Sequence, residues 1–358
     1  MTAREKAMLT LNAWEGFHAR FLEDWAAKGL SPEELLGAGT AFWEEIGLPE
    51  KCRALLSRYR DGCWAEQESE KAVRLGARLV FWGNDDYPGG LKDLSRPPAV
   101  LYARGKWPVP ERMDAVVGTR RCSPYGSRIA REVASRISES RVAVLSGGAL
   151  GIDGAAHAGA LEAGGVTVAV LGTGVDLVYP VEHEGLFSRI IEQGTLLSEF
   201  PLSTPSRAWR FPRRNRLIAA LVGRVVVVEA PLKSGAILTA RIAMDIGREI
   251  WAVPGRIDEW GCKGSNSLLW DGAHPLVDVE DLFRVPDPSQ GELFKEETAN
   301  ENSSPVLEAL RVFGDQTVDI LASQVRMGAA DILVELCRME AFGLVRRSLS
   351  GRWSAVLR

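Results

Sequence analysis

Cysteine and histidine are scarce in this sequence, and their spacing excludes two common kinds of structural cross-link. Five cysteines occur in 358 residues, none of them in a CxxC pair, and an odd number cannot form a complete disulfide framework. The four histidines are scattered and lack the spacing of metal ligands. We therefore expect reduced thiols and no metal site.

Long apolar stretches are also missing. The N-terminal segment contains no continuous apolar core of signal-peptide length, and no later segment approaches the roughly 18 apolar residues of a membrane span. Hydrophobic residues make up 46% and charged residues 25% of the chain, which is ordinary for a globular protein. We expect a cytoplasmic protein without a membrane partner, and the length predicts two or three domains.

An overall positive charge is absent as well, since the formal net charge is −4, but positive charge is concentrated locally. Residues 205–224 contain six arginines and no acidic residue. Most of them stand where an apolar helix begins, and the helix dipole disfavours positive charge at that end unless an anion compensates it. Either acidic neighbours within the protein or a bound ligand could supply the anion, and we favour the ligand. Arginines interleaved with aromatic residues are typical of proteins that hold single-stranded nucleic acid.

The chain changes character along its length, which predicts several domains. Residues 1–75 read as short helices, and Ser31 followed by Pro32 and two glutamates is a typical helix start. This segment is similar to SAM or helix-hairpin-helix domains, some of which contact DNA, but the motif is weak and we favour a structural role. Residues 286–304 are rich in Pro, Ser, Glu and Asn and predict a flexible linker. Residues 305–358 predict three helices and two strands, the order of a winged helix.

Between these segments, residues 76–285 show β-branched runs that alternate with helical patterns. Strand candidates include "AVVG", "VAVLSGG", "VTVAVLG" and "RVVVVEA", with "ARLVFWG" and "AVLYARG" ahead of them. In the helix candidate "SRIAREVASRISES", Ile129, Val133 and Ile137 form one buried stripe. Strands that are almost wholly apolar must be covered on both faces. The predicted fold class is therefore α/β, with an extended Rossmann-like, doubly wound parallel sheet of at least six strands.

Three loops at the carboxyl ends of these strands are expected to form a binding crevice, because ligands of doubly wound sheets bind there. One loop, residues 146–154, holds four glycines, whose backbone can approach an anion at the start of the next helix. The second carries Thr119, Arg120 and Arg121, and the third carries Lys233 and Ser234. The glycine spacing fits neither GxGxxG nor a Walker A loop, so we expect no dinucleotide or Mg-ATP cofactor.

Taken together, these motifs resemble the DNA-processing protein A (DprA/Smf) family. The resemblance rests on "VGTRR", "SGGALGIDGAAHAGAL", "TVAVLGTGVDLVYP", "FPRRNRLIA", "VVVVEAPLKSGAILTA" and "WAVPG", and it covers residues 79–283. It implies a Rossmann-like domain that binds and protects single-stranded DNA, forms a homodimer and loads the recombinase RecA onto the strand during natural transformation. One departure is His183, which stands where the family usually has asparagine.

The resemblance also implies which residues contact the DNA. The family's GSR-type motif, glycine loop, FPxRNR motif and KSG motif fall on the three loops and on the arginine-rich helix. The implied site for single-stranded DNA comprises Thr119, Arg120, Ser146, Gly147, Gly148, Gly151, Phe211, Arg214, Asn215, Arg216, Lys233 and Ser234.

Two other functions fit parts of the sequence. A phosphoribohydrolase of the lonely-guy type shares the core, but the loop "PLKSGAILTARIA" lacks the glutamate of its PGGxGTxxE motif, so the acid/base group is missing. Asp153 and His157 could form a catalytic dyad, although we favour structural roles because no nucleophile lies near them in sequence. A duplex-reading regulator needs a basic recognition helix, whereas "GAADILVELCRMEAFG" carries three acidic residues and one arginine. We therefore expect a non-catalytic binder whose winged helix contacts protein.

Overall fold

The structure, a computed structural model, describes residues 1–59, 63–284, 304–341, 344–348 and 351–355. It forms two compact units, Met1–Leu282 and Phe283–Arg358. The predicted linker, residues 286–304, lies outside the described residues except for Ser304. The first unit holds both the N-terminal helices and the sheet, and the domain boundaries at residues 75 and 304 stay predictions.

The chain begins with short helices whose ends are set by local signals. They are α1 (Ala3–Asn12), α2 (Ala19–Ala26), α3 (Pro32–Gly37), α4 (Thr40–Glu45), α5 (Glu50–Tyr59) and α6 (Cys63–Leu75). Helix α3 begins as predicted, because the Ser31 hydroxyl accepts from the Glu34 amide and the Glu34 carboxylate accepts from the Ser31 amide. The apolar core of these helices, which includes Met8 and Trp43, continues into Tyr102 and Phe187 of the sheet layer. The helices therefore pack as part of the first unit.

The sheet of the first unit has nine strands. They are β1 (Ala77–Phe81), β2 (Val100–Gly105), β3 (Met113–Val117), β4 (Ala143–Ser146), β5 (Thr167–Val170), β6 (Thr195–Ser198), β7 (Arg224–Val227), β8 (Glu249–Ala252) and β9 (His274–Pro275). Their spatial order is β1-β2-β6-β5-β4-β3-β7-β8-β9. Strands β3 to β9 pair in parallel, which confirms the predicted doubly wound sheet.

Strands β1 and β2 depart from the parallel arrangement. They pair antiparallel with each other, and β2 pairs antiparallel with β6. Residues 82–99, which join β1 to β2, contain a short 3-10 helix but no α-helix. A parallel pair needs a crossover connection that is usually helical, so this link favours an antiparallel edge.

Helices cover both faces of the parallel strands. They are α7 (Pro124–Glu139), α8 (Ile152–Glu162), α9 (Glu184–Gln193), α10 (Arg210–Leu221), α11 (Gly235–Asp245) and α12 (Lys263–Trp270). The chain proceeds outward from β3 through β4, β5 and β6, and then returns to place β7 on the other side of β3. The strand order therefore reverses between β3 and β7. The loops that leave the carboxyl ends of these two strands diverge and open a crevice, which is where doubly wound sheets bind their ligands.

The second unit contains α13 (Pro305–Phe313), α14 (Val318–Val325), α15 (Ala329–Ala341), β10 (Val345–Arg347) and β11 (Trp353–Ala355). Strands β10 and β11 form an antiparallel pair, and Leu310, Leu336 and Trp353 are buried in a common core. Three helices followed by two strands is the predicted order, while the assignment as a winged helix stays a prediction. In the described part of the chain, no helix is both long and apolar enough to cross a membrane.

Candidate nucleic-acid interface

A cavity of about 480 Å³ opens at the reversal of strand order. Its walls come from the loop after β3, the start of α8, the start of α10, the start of α11 and the short 3-10 helix Trp260–Cys262. Half of the residues predicted to bind single-stranded DNA line it: Thr119, Arg120, Phe211, Arg214, Asn215 and Ser234. A smaller cavity of about 50 Å³ adjoins it, and its walls include Gly147 and Gly148. The two cavities share Arg120, Ala149 and Phe211.

Arg120 presents an exposed positive charge at this opening. Its guanidinium lies 4.9 Å from the centre of the Phe211 ring, and the centres of the Tyr179 and Phe211 rings are 5.6 Å apart. Among the described residues Arg120 forms no ion pair. The guanidinium is therefore held against an aromatic face while its charge remains available to an anion.

Arg214 has a different environment, because its side chain is buried although the residue lines the larger cavity. Its guanidinium donates to the carbonyl oxygen of Gly147 at 2.5 Å and to that of Val170, while Nε donates to Asn215 Oδ1 at 3.1 Å. Burial lowers the pKa of Arg214 to about 10, which leaves it charged at neutral pH. The arginine thus ties the glycine loop to the end of β5.

Asp153 provides the nearby negative charge. A Cβ atom on Gly147 would lie 2.6 Å from both the Asp153 carboxylate and the Arg214 guanidinium, so only glycine fits between them. Burial raises the pKa of Asp153, and the positive charge of Arg214 opposes that shift. The pair gives the buried arginine a counter-charge that does not depend on a ligand.

The glycine loop is shaped by close backbone approaches. Gly148 and Gly151 adopt φ values of 68° and 77°, which favour glycine. A Cβ atom on Gly151 would lie 2.3 Å from the carbonyl oxygen of Thr119. Ser146 is wholly buried and donates to the Val116 carbonyl at 2.6 Å. Ser146 and Gly151 line neither cavity, so they support the loop from behind.

The remaining arginines of α10 are paired with carboxylates of the protein. Arg210 pairs with Glu15, and Glu199 accepts from both Arg213 and Arg216. The interpretation that a ligand compensates these arginines is therefore wrong for these three, because acidic residues distant in sequence fold against them. Arg216 also donates to the Arg96 carbonyl at 2.7 Å and does not line either cavity. Its position favours a structural role over a contact with a ligand.

The start of α11 completes the opposite side of the cavity. The Ser234 hydroxyl accepts from the Ile237 amide at 3.4 Å and caps this helix. Asn215 donates from Nδ2 to the Gly235 carbonyl at 3.0 Å, which joins α10 to α11. Lys233 is exposed beside Ser234 but is not among the lining residues.

Glu229, which the sequence analysis did not single out, occupies the start of α7. Its Oε2 atom accepts from the Ser123 amide at 3.0 Å and from the Ser123 hydroxyl at 2.9 Å. A Cβ atom on Gly126 would lie 2.2 Å from the same oxygen. In dinucleotide-binding Rossmann folds this helix start receives the pyrophosphate. Here a carboxylate of the chain itself fills that position. In the sequence, the available signal was that Glu229 is a charged residue directly after the apolar run "VVVV".

Asp153 and His157 are hydrogen-bonded to other residues and not to each other, in agreement with the favoured structural roles. His157 is completely buried, and its Nδ1 lies 2.7 Å from Thr167 Oγ1. Asp153 instead accepts from the Ala149 amide at 3.3 Å. Burial lowers the pKa of His157 to about 3, so it is neutral under ordinary conditions and cannot act as a base at the cavity. Across the described residues, no group of three side chains is arranged to hold a metal ion.

Comparisons with known proteins agree with this architecture. The sequence model of the family described as DNA recombination-mediator protein A matches residues 78–286. The putative DNA processing protein DprA of Mycobacterium tuberculosis is 38% identical over 315 residues, which cover 81% of this chain and 79% of that protein. Protein Smf of Escherichia coli is 34% identical over 295 residues, which cover 79% of this chain and 77% of that protein.

Two solved structures are also similar. The DNA processing protein A of Streptococcus pneumoniae has a TM-score of 0.66 at 29% identity, covering 79% of this chain and 97% of that one. The DNA processing protein A of Helicobacter pylori, for which a single-stranded DNA binding mode is described, has a TM-score of 0.53 at 29% identity. That match covers 57% of this chain and 94% of the Helicobacter protein. The present chain belongs to the DNA recombination-mediator protein A (DprA/Smf) family, a family of DNA-binding recombination mediators and not of enzymes.

Proposed function

We propose that this protein binds single-stranded DNA in the cavity between β3 and β7 and delivers the strand to RecA. The observation that supports it most directly is the convergence of exposed Arg120, the Phe211 ring and the glycine loop at one opening. The single-stranded DNA binding mode of the Helicobacter relative supports the same ligand.

Electrostatic attraction supplies the first part of the binding. Arg120 and Lys233 carry exposed positive charge at or beside the cavity, and phosphates gain from such contacts through the release of counterions. Arg214 is buried in the wall of the cavity, where its hydrogen bond to Gly147 holds the glycine loop in shape. Arg216 forms an ion pair with Glu199, so we assign it a structural role in positioning α10.

Stacking supplies the second part. The Phe211 ring is half-buried and lines both cavities, so a base that enters the cavity can stack with it while Arg120 binds a neighbouring phosphate. A base stacked on an aromatic ring contributes roughly 1 to 3 kcal/mol, and every base offers a suitable face. The expected recognition is therefore largely independent of sequence.

The phosphoribohydrolase alternative lacks its chemical groups in this cavity. The only carboxylate among the lining residues of the larger cavity is Asp153, which is buried beside Arg214. His157 is neutral and hydrogen-bonded within the core. General acid/base chemistry needs a group that reaches the substrate in the correct protonation state. His157 does not line the cavity, and the Asp153 carboxylate accepts from the Ala149 amide.

A gel-shift comparison of single-stranded and duplex oligonucleotides of equal length tests the proposal. We expect tighter binding of the single strand, and a log–log dependence on salt with a slope of about −0.7 for each phosphate contact. Equal affinity for the duplex, or binding that ignores salt, would contradict the proposed site.

The further steps are proposed on the strength of the family resemblance. We expect a homodimer in the cytoplasm that shields incoming single strands and promotes RecA assembly on them during natural transformation. Light scattering measures the oligomeric state, and the rate of RecA filament formation on strands coated with single-stranded-DNA-binding protein measures loading. A monomer at working concentrations, or an unchanged rate of filament formation, would refute the corresponding step.

A further inference from the structure

We propose that Trp260 is a second base-stacking platform, on a different wall of the cavity from Phe211. The inference rests on the proposed binding of single-stranded DNA and adds a residue that no motif of the sequence identified. Trp260 lines the larger cavity together with Arg120, Phe211 and Ser234.

The indole of Trp260 is available to a ligand, since 68% of the residue is exposed. A single exposed apolar residue is ordinary on a protein surface and by itself indicates nothing. Trp260 differs because it borders a concave site that also presents the exposed guanidinium of Arg120 to an anion. A tryptophan face next to a cation is the combination that holds a base and its phosphate together.

The backbone around Trp260 packs closely against neighbouring parts of the first unit. Trp260 begins the 3-10 helix Trp260–Cys262, and a Cβ atom on Gly261 would lie 2.7 Å from Glu229 Oε1. Cys262 packs equally closely on Gly255, where a Cβ atom would lie 2.4 Å from its sulfur. These close approaches leave no room for a side chain at Gly255 or Gly261, so the backbone segments pack directly on their neighbours. The backbone that carries the indole is therefore held by packing against Glu229 and Gly255.

Glu229 connects the 3-10 helix Trp260–Cys262 to the loop after β3, which carries Arg120. One carboxylate oxygen accepts from the amide and hydroxyl of Ser123, while the other contacts Gly261. The backbone carbonyl of Glu229 also accepts from the Thr119 amide at 2.7 Å. Buried Glu229 therefore packs against both the 3-10 helix that begins at Trp260 and the loop that carries Arg120.

The ligand recognised by this arrangement is a flexible strand with more than one base near the cavity. Phe211 and Trp260 come from separate elements, α10 and the segment after β8, so each can accept a different base. The cavity of about 480 Å³ lies within the range of about 300 to 1,000 Å³ that small ligands fill. In duplex DNA the bases stay stacked on each other, so they cannot stack on Phe211 and Trp260.

Substitutions at Trp260 test the inference in the full-length protein. Trp260→Leu keeps an apolar side chain but removes the aromatic face, and Trp260→Phe keeps an aromatic face. Trp209 is the matched control: it is 51% exposed, its ring lies against Arg210, and it does not line either cavity. We expect Trp260→Leu to weaken binding of an oligothymidine about tenfold, while Trp260→Phe and Trp209→Leu stay close to wild type.

An abasic oligonucleotide separates stacking from electrostatics, because it retains the phosphates and lacks the bases. On this strand Trp260→Leu and wild type are expected to bind equally. If wild type binds oligothymidine and Trp260→Leu binds it as well as Trp209→Leu does, the inference is overturned. If Trp260→Leu also weakens binding of the abasic strand, its effect is not stacking, and the inference is again overturned. Failure of wild type to bind either strand would instead overturn the proposed function.

Discussion

Arg120 and Arg214 belong to comparable motifs in the sequence, yet the structure gives them opposite environments. Arg120 is exposed and lies over an aromatic ring, whereas Arg214 is buried and donates to two backbone carbonyls. An exposed guanidinium can exchange its bound water for a phosphate. The buried guanidinium of Arg214 already donates hydrogen bonds to the protein backbone. The difference is one of desolvation, which residue identity alone does not express.

Replacement of Arg120 by alanine tests its assignment as a phosphate contact. We expect affinity for single strands to fall about tenfold for all base sequences, and the salt slope to become shallower by about 0.7, the loss of one contact. The control is Arg128→Ala, because Arg128 is exposed on α7 and lies 3.5 Å from Glu132, outside both cavities. An equal loss in the control, or a loss that depends on base sequence, would show that Arg120 does not act through phosphate.

His157 predicts a pH dependence of stability. Its pKa is about 3 in the folded protein against 6.5 for the ordinary group, so the unfolded chain binds the proton first. The stability contributed by the neutral histidine is full above pH 6.5 and is lost as the pH falls toward 3. We expect the free energy of unfolding to drop by about 3 kcal/mol more in wild type than in His157→Asn between pH 7 and pH 4.

Urea unfolding at several pH values measures this difference. Asp153, whose pKa is raised by burial, acts in the opposite direction, but it is present in both proteins and cancels in the comparison. Parallel stability curves for wild type and His157→Asn would contradict the assigned protonation state.

At the scale of elements, the glycine loop and the loop after β3 form one packed assembly. Gly151 precedes α8 as its N-cap, with a positive φ, and lies against Thr119, while Arg214 of α10 holds the same loop through Gly147. The glycine spacing indicated close backbone approach, and the structure identifies the partner as protein backbone at Gly151. The loop therefore positions Arg120 as well as facing the smaller cavity.

A pair of glycine substitutions separates backbone strain from packing. Gly151 and Gly164 have φ values of 77° and 70°, but a Cβ atom meets Thr119 oxygen at 2.3 Å only at Gly151, and nothing within 4 Å at Gly164. We expect Gly164→Ala to cost about 1 kcal/mol of stability with unchanged DNA binding. Gly151→Ala should cost more and also weaken binding, because the loop that carries Arg120 must move. Denaturant unfolding and gel shifts check both, and matching effects of the two variants would rule out this role for Gly151.

At the scale of the molecule, strand order creates the site. The chain moves from β3 to β6 on one side and places β7 on the other, so loops far apart in sequence meet at one crevice. Every residue that lines the two cavities lies between Val117 and Trp260, within the first unit. The second unit has its own core, and the acidic residues of α15 argue against contact with nucleic acid.

Removal of residues 305–358 tests this division of roles. We expect the shortened protein to bind single-stranded DNA within about threefold of the full chain, because the phosphate contacts that dominate affinity stay in place. Gel shifts of both proteins under the same salt conditions supply the comparison. Loss of binding in a shortened protein that still unfolds cooperatively would transfer part of the site to the second unit.

The sequence by itself determined the features that depend on neighbours a few residues apart. The capped start of α3, the apolar strands, the glycine-rich turn and the family motifs could all be recognised without coordinates, and with them the parallel sheet and its carboxyl edge. These follow from backbone preferences and periodicity, which are local properties. Only the tertiary structure decided that Glu15 and Glu199 neutralise arginines of α10, that Arg214 is buried, and that Trp260 joins Arg120 at one cavity. These depend on contacts between distant segments, and charge compensation and desolvation exist only once the chain has folded.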